Sequence, residues 1–537
     1  MIVAIAFAAA VAAPPNFVIV FGDDWGWGDL GANWPGTEGL TPNIDAIAAA
    51  GIRFTDFHVA ASVCTPSRAG LLTGRLGLRT GVTHNFGPSS LGGLPMNETT
   101  IAEMLKTAPI PYRTAAVGKW HLGTYDGFFP TKRGFDSYVG VPYSVDMGCA
   151  AQPSITFWNC ANATVGLCPA CPVDPHPIPS RFPPDASCGR PSGCADAELG
   201  LPVFANATIV EQPANLATLS ERYAAEIERF IGASAASGDP FFLYFAASHV
   251  HVPLNTAPRF VNRSGRGSPF ADALQEFDDT VGRLTAALAR NRVADNTLIF
   301  VTGDNGPWGC KCSGKLAGSY GPFRGAWQRT SGGGGSSWKT TVWEGGHRVV
   351  GLAAWPGTVA PGTVSGALTS SLDYMPTLAA LSGAPLPGAG RQWDGLSLAK
   401  LLVDPAALAR NDSGHTVLFH PLSGAGGSGP LGAMRYRQYK AHWTTGGATD
   451  CGGVASPVRA HDPPLLFDLS ADPAEASALD VGAQKYAAIV AAMSALRARA
   501  LAAIASSPRS VANYKSGPAG AAVNCCNATH VACRCEN

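Results

Sequence analysis

The feature that most constrains this chain is a set of four short apolar runs, at 17–21, 115–117, 241–245 and 297–301, separated by stretches of helical period. Each run is too short for an ordinary helix and lacks polar alternation, which suits a strand buried on both faces. Between them, 216–231 and 271–290 are amphipathic, and the first sets Glu221, Arg222, Glu226 and Glu228 on a solvent side. Strand and helix alternating on this scale predict a parallel sheet with right-handed crossovers. The expected fold class is α/β: a large mixed, mostly parallel sheet sandwiched by helices. Beyond about residue 411 the pattern becomes short and turn-rich. There 436–440 and 465–468 read as strands and 481–503 as a helix, predicting a small antiparallel sheet with one covering helix.

In open parallel sheets, ligands sit beyond the carboxyl ends of the strands. All four runs lead into polar groups there: Asp23 and Asp24, Lys119 and His121, His249 and His251, Asp304 and Asn305. The first and last groups offer only oxygen, with three formal negative charges, which suits a hard cation such as Ca²⁺ or Mg²⁺ rather than zinc. Gly-Asp-Asp and Gly-Asp-Asn-Gly are also ordinary turn sequences. Their occurrence at two strand ends favours the metal. Lys119 and His121 lie two apart in an extended segment and are predicted to point the same way, as are His249 and His251. Of the second pair, His251, set in Val-His-Val-Pro-Leu, is the one expected in the site.

Residues 64–75 read Cys-Thr-Pro-Ser-Arg-Ala-Gly-Leu-Leu-Thr-Gly-Arg. Pro66 suits the first helical turn, Leu71 and Leu72 supply an apolar face, and Gly74 is a natural stop. Cys64 is then predicted just outside a helix N-terminus with Arg68 about one turn in, an arrangement that favours an anion. Taken alone, Cys64 reads equally well as a disulfide cysteine beside a helix start.

Lys and Arg together number 38, as do Asp and Glu, so no global field attracts nucleic acid or an anionic membrane. Residues 1–13 are apolar and small, ending Ala-Val-Ala-Ala before Pro14, and read as a signal peptide. No other run reaches the roughly 20 apolar residues of a transmembrane helix. Fourteen cysteines and six Asn-x-Ser/Thr sequons, at Asn97, Asn162, Asn206, Asn262, Asn411 and Asn527, agree with the secretory route. The expected domains are 14–410, carrying the chemistry, and 411–537. Six cysteines lie in 149–194, read as a disulfide-pinned loop, and 331–337 reads as a mobile Gly-Ser loop. Without Cys64 thirteen cysteines remain, an odd number, so at least one is expected unpaired or joined to another molecule. Cys525, Cys526, Cys533 and Cys535 are expected to pair among themselves, and Cys451 with Cys310 or Cys312.

The pattern Cys-Thr-Pro-Ser-Arg-x-x-Leu-Leu-Thr-Gly resembles the signature of the sulfatase family. Gly22-Asp23-Asp24, Gly118-Lys119-Trp120-His121-Leu122-Gly123, Pro142-Tyr143-Ser144, His251, Asp304-Asn305-Gly306-Pro307 and Lys339 with Glu344-Gly345-Gly346 fall in sulfatase order, so the resemblance spans nearly the whole chain. It implies an alkaline-phosphatase-like fold and hydrolysis of a sulfate monoester: an aryl sulfate, a sulfated sugar or a sulfated glycolipid. It implies that Cys64 is converted to formylglycine (3-oxoalanine) by the formylglycine-generating enzyme. Position 64 would then join Asp23, Asp24, Asp304 and Asn305 around Ca²⁺. Cys64, Arg68, Lys119, His121, His251 and Lys339 would be catalytic, and Ser144, Lys119, His251 and Lys339 would contact substrate. A lysosome-like or extracellular location and a homo-oligomer are compatible with it. Two alternatives stand beside it: a phosphate mono- or diester hydrolase of the same superfamily, and an inactive glycan-binding descendant. The second is disfavoured because every expected catalytic position is filled.

Overall fold

The strand Asn16–Gly22 is the axis of a ten-stranded mixed sheet, flanked by Thr297–Gly303 and Phe241–Ala246, both parallel to it. Arg113–Gly118 and Ser137–Gly140 extend the parallel part. The four apolar runs are thus the neighbouring strands of its centre. Antiparallel pairing appears only outward: Gly351–Ala354 joins Thr297–Gly303 to Ile52–Phe54, and Val203–Ala205 with Thr208–Glu211 form the other edge. The structure, a computed structural model, describes residues 13–535 other than 160–163, 169, 172–198, 309–315, 389, 425–426, 450–455, 517–523 and 528–529.

Alternation along the central strands explains why helices cover both faces. Val18 and Val20 pack with Ile44, Tyr223 and Phe277 of the helices Pro42–Ala50, Leu219–Ser237 and Pro269–Arg290. Phe17, Ile19 and Phe21 pack on the other side with Leu71 and Leu72 of Cys64–Thr73 and Met375 of Tyr374–Ser382. Each such side chain contributes about 1.5–3 kcal/mol by leaving water, and this fixes where the strand ends emerge.

The C-terminal part is a four-stranded antiparallel sheet of Val417–Gly424, Gly427–Tyr436, Tyr439–Thr445 and Arg459–Asp468. The helix Gln484–Ser506 covers it, with Met493 packed against Met434, Ala441 and Leu466. By length and composition this is the one helix among the described residues that could cross a membrane.

Several expectations are corrected. Residues 436–440 are not one strand: Arg437, at φ 53°, turns the chain between two antiparallel strands. The 331–337 run is tied down rather than loose. The Gln328 side chain donates to the carbonyls of Gly332 and Gly334, and Ser337 Oγ donates to Arg324 at 2.6 Å. One amide thus replaces the side-chain contacts that the glycines lack. The start of the 149–194 loop is ordered as a hairpin, Ser154–Asn159 with Thr164–Cys168, and Cys149–Cys171 closes its base. Cys525–Cys533 and Cys526–Cys535 pair within the C-terminal group as expected. Cys310, Cys312, Cys451 and residues 1–12 lie outside the described residues.

Candidate active site

The helix carrying Cys64 begins at that residue rather than after it, and Pro66 takes its third position. Gly74 ends it in the left-handed conformation at φ 66°, as its sequence suggests. The helix is buried throughout, so Cys64 and Arg68 point into the sheet edge rather than into solvent.

Around them the strand ends converge. Asp23 Oδ1 lies 3.7 Å from Cys64 Sγ, and Asp23 Oδ2 accepts from Lys119 Nζ at 2.7 Å. Arg68 donates to Asp304 Oδ2 at 2.7 Å and to the Lys119 carbonyl at 3.0 Å, and stands 3.5 Å from Asp23. Asp304 Oδ1 accepts from the Asp24 amide at 3.0 Å, and Asn305 Nδ2 donates to Asp24 Oδ1 at 2.7 Å. Lys339 Nζ reaches the same Asp24 oxygen at 2.6 Å and His251 Nε2 at 3.0 Å. Three buried carboxylates are matched by Arg68, Lys119 and Lys339. Ion pairs this dry persist only with such mutual compensation.

Gly118 makes the Lys119 exit feasible. It adopts φ 104°, and a Cβ there would lie 1.8 Å from the Ala246 carbonyl. The chain then follows the ends of two neighbouring strands, with Lys119 N donating to Ala246 and His121 N to Pro142. Lys119 and His121 therefore do not project in parallel as an extended segment would place them. His121, at φ 58°, turns its ring to the Phe86 carbonyl, 3.0 Å from Nε2. A carbonyl can only accept, so Nε2 carries the hydrogen and Nδ1, buried and without a partner among the described residues, keeps its lone pair. Burial, then Lys119 and Arg68, push the imidazole well below its ordinary pKa, so it is neutral. Burial would raise the Asp23 carboxyl, but Lys119, His251 and Arg68 hold it below its usual range. Burial pushes the Cys64 thiol up despite Lys119 and Lys339, and among the described residues no imidazole is hydrogen-bonded to Sγ. Such a thiol is poorly suited to thiolate attack.

His249 and His251, expected to point the same way, have different partners: the His251 ring meets Lys339 and Asp24, and that of His249 does not. The His249 ring is held by Glu276 at 3.2 Å, while the carbonyl of the same residue receives the Asp23 amide at 2.7 Å. Ser144 is buried just past Pro142, and its Oγ has no partner among the described residues.

Ligand atoms of Asp23, Asp24, Cys64 and His251 lie within 4.8 Å of one another. Among the described residues Asn305 Oδ1 is buried without a hydrogen-bond partner and Asp24 Oδ2 has only His251 Nε2, 3.4 Å away, and oxygens so thinly paired in so dry a place are costly. Oxygen donors with unused lone pairs fit a hard divalent cation. A second group, His58, Glu344 and His420, comes equally close. There the Arg435 guanidinium already bonds both His58 Nε2 and Glu344 Oε2, and Lys440 bonds Glu344 Oε1. Fixed cations fill that niche.

Three contributors escaped the sequence reading. Trp308, just after Asn305-Gly306-Pro307, places its ring 5.3 Å from that of His251 and 5.0 Å from Lys339 Nζ. Asn85 Oδ1 accepts from the Thr65 amide at 2.9 Å and steadies the helix start, and Phe86 orients His121. Only the position of Trp308 a few residues beyond the strand end at Gly303 could have marked it.

Comparison with known proteins gives this geometry a setting. Residues 15–384 match the sulfatase family model, and 413–535 match the C-terminal region of aryl-sulfatase. Arylsulfatase G of Canis lupus familiaris is 46% identical over 97% of this chain and 91% of its own length. Arylsulfatase A of Homo sapiens is 40% identical over 88% of this chain and 85% of its own. The crystal structure of the PsFucS1 sulfatase from Pseudoalteromonas sp. superposes with a TM-score of 0.71 at 23% identity, covering 94% of this chain and 92% of that one. With its two matched regions, its arylsulfatase relatives and the convergence of strand ends on Cys64, the chain belongs to the sulfatase family and is a sulfatase enzyme.

Proposed function

We propose that this sulfatase hydrolyses a sulfate monoester with a formylglycine made from Cys64 and a bound calcium ion. The carrying observation is the placement of Cys64 Sγ 3.7 Å from Asp23 Oδ1 and inside a ring of buried cations. When present, Ca²⁺ on Asp23, Asp24, Asp304 and Asn305 offsets charge on sulfate and on the attacking oxygen, and an aldehyde hydrate at position 64 supplies two hydroxyls on one carbon, one to attack sulfur and one to release sulfate.

The chain's own residues do the rest. Arg68 holds the Asp304 carboxylate in place and, with Lys119 and His251, keeps the Asp23 carboxyl below its usual range. Lys119 and Lys339 face the sulfate oxygens with fixed positive charge that needs no reorganisation as the leaving oxygen becomes negative. Lys339 Nζ and His251 Nε2, 3.0 Å apart, form one proton-donating pair for that oxygen. The neutral His121, with its lone pair on Nδ1, serves as a base, and Ser144 Oγ has spare capacity for a sulfate oxygen. Residues 14–410 form the catalytic unit and 411–537 the smaller domain. Paired cysteines and exposed sequons at Asn97, Asn206, Asn262 and Asn411 support a secretory or lysosome-like location.

The test pairs p-nitrophenyl sulfate with p-nitrophenyl phosphate on protein secreted from a eukaryotic host. Mass analysis of the peptide containing position 64 accompanies it. The expected result is preferred turnover of the sulfate, an aldehyde at 64, and loss of activity on chelation that Ca²⁺ restores. Faster phosphate turnover points to the phosphohydrolase alternative, and an unmodified thiol without turnover points to the binding descendant.

A further inference from the structure

The C-terminal tail carries a group that reaches the catalytic wall from the far end of the chain. After Gln484–Ser506 the chain returns to the large domain along 79–92. Ser510 N donates to Arg79, Leu91 N donates to Lys515, and Ser90 and Ser516 form a β-bridge. Between these ties sits Tyr514. Its hydroxyl accepts from the amides of Thr83 at 2.8 Å and His84 at 3.3 Å, and lies 3.2 Å from the His84 carbonyl, to which it can donate. Its ring stacks on His84 at 3.6 Å and on Phe86 at 4.7 Å. Phe86 supplies the carbonyl that fixes His121 Nε2, and Asn85 is pinned to Thr65.

We infer that Tyr514 is a positioning residue for His121, acting through the segment 83–86. That segment has no regular secondary structure, so its backbone amides need partners from elsewhere. Asn85 anchors its middle on the Cys64 helix, and Tyr514 anchors the two residues before it. With both held, the Phe86 carbonyl has one position, and the tautomer and orientation of His121 follow from it. Without the hydroxyl, the amides of Thr83 and His84 must find other partners, and the carbonyl drifts with them. Displacements well under 1 Å matter at a base that must meet a particular proton.

The inference rests on the reading of His121 as a base, and a double-mutant cycle separates the two. Variants Tyr514→Phe, His121→Gln and their combination are assayed for kcat on p-nitrophenyl sulfate, with Tm measured alongside. Tyr514→Phe keeps the ring stack and removes only the hydroxyl, so Tm is expected within a few degrees of wild type. In the wild-type background kcat falls about fivefold, the equivalent of about one net hydrogen bond. In the His121→Gln background that penalty vanishes, because the group being positioned is gone. Tyr514→Leu, which also removes the stack, loses more activity with the same dependence on His121. An equal loss in both backgrounds, or none in wild type, overturns the role of Tyr514 and leaves the catalytic reading standing. A His121→Gln enzyme with unaltered kcat overturns the base assignment itself, and the inference with it.

Discussion

Arg68 is wholly buried, and its guanidinium reaches Asp304, Asp23 and the Lys119 carbonyl at once. Lysine reproduces the charge but not the fork, since one ammonium cannot meet three acceptors set apart in this way. Arg68→Lys is therefore expected to fold and to lose at least about 100-fold in kcat, the scale of a misplaced electrostatic group in an active site. Arg229→Lys, at an exposed pair with Glu226, serves as the control and is expected to be neutral. An Arg68→Lys enzyme with unchanged kcat on p-nitrophenyl sulfate would place Arg68 outside the machinery.

At the scale of elements, the site is made by two turns that interlock. The turn Asp304-Asn305-Gly306 leaves the sheet and meets the short helix Glu344–His347 that follows the Lys339 turn, with Gly306 N donating to the Gly346 carbonyl at 2.9 Å. A Cβ on Gly306 would lie 1.8 Å from the Gly345 carbonyl, a clash with backbone that no rotamer change can relieve. Gly306→Ala is expected to cost about 2 kcal/mol or more and to reduce activity, because the Asp304 and Lys339 turns move apart. A thermal melt and kcat on the same preparation check this. Much of this level was legible in the chain. Continuous apolar runs announce strands buried on both faces, and polar residues after them announce the active edge. Gly-Asp-Asn-Gly carries its own turn chemistry. The parts that stayed hidden depend on partners distant in sequence. Gln328 orders a glycine run that looks free from composition alone. The direction of His121 follows from the exits of two neighbouring strands, and the reach of Tyr514 into 83–86 depends on where a tail returns. No local pattern encodes such contacts.

Across the whole molecule, the small sheet meets the large domain through a buried polar layer. His420 stacks between His347, at 4.1 Å, and His58, at 5.1 Å, with Arg435, Lys440, Arg348, Asp56 and Glu344 around them. Burial, then the nearby positive charges, hold His420 well below its ordinary pKa, and burial with Lys440 pushes His347 down to about 3. Both rings are neutral when folded and take up a proton near pH 6.5 when unfolded. The unfolded chain binds more protons below that pH, so stability falls as the pH drops from about 6.5. Each such ring contributes at most about 1.4 kcal/mol per pH unit. His420→Phe keeps the stack and removes two ring nitrogens that have no partner among the described residues. Its Tm is expected to equal or exceed that of wild type and to fall less steeply between pH 7 and pH 5. An unchanged acid slope would show that the ring is not a neutral buried group.

The fate of one enzyme molecule with serine at position 64 separates formylglycine chemistry from ordinary nucleophilic attack. A single hydroxyl there can attack sulfur, since the cationic pocket remains, but its carbon has no second hydroxyl to release the sulfate. Cys64→Ser, incubated with p-nitrophenyl sulfate, is predicted to release one p-nitrophenol per enzyme and stop, with about 80 Da added to the peptide containing position 64. Cys64→Ala is predicted to give neither product nor adduct. Multiple turnovers by Cys64→Ser at the wild-type rate, with no adduct, would contradict formylglycine chemistry in this protein.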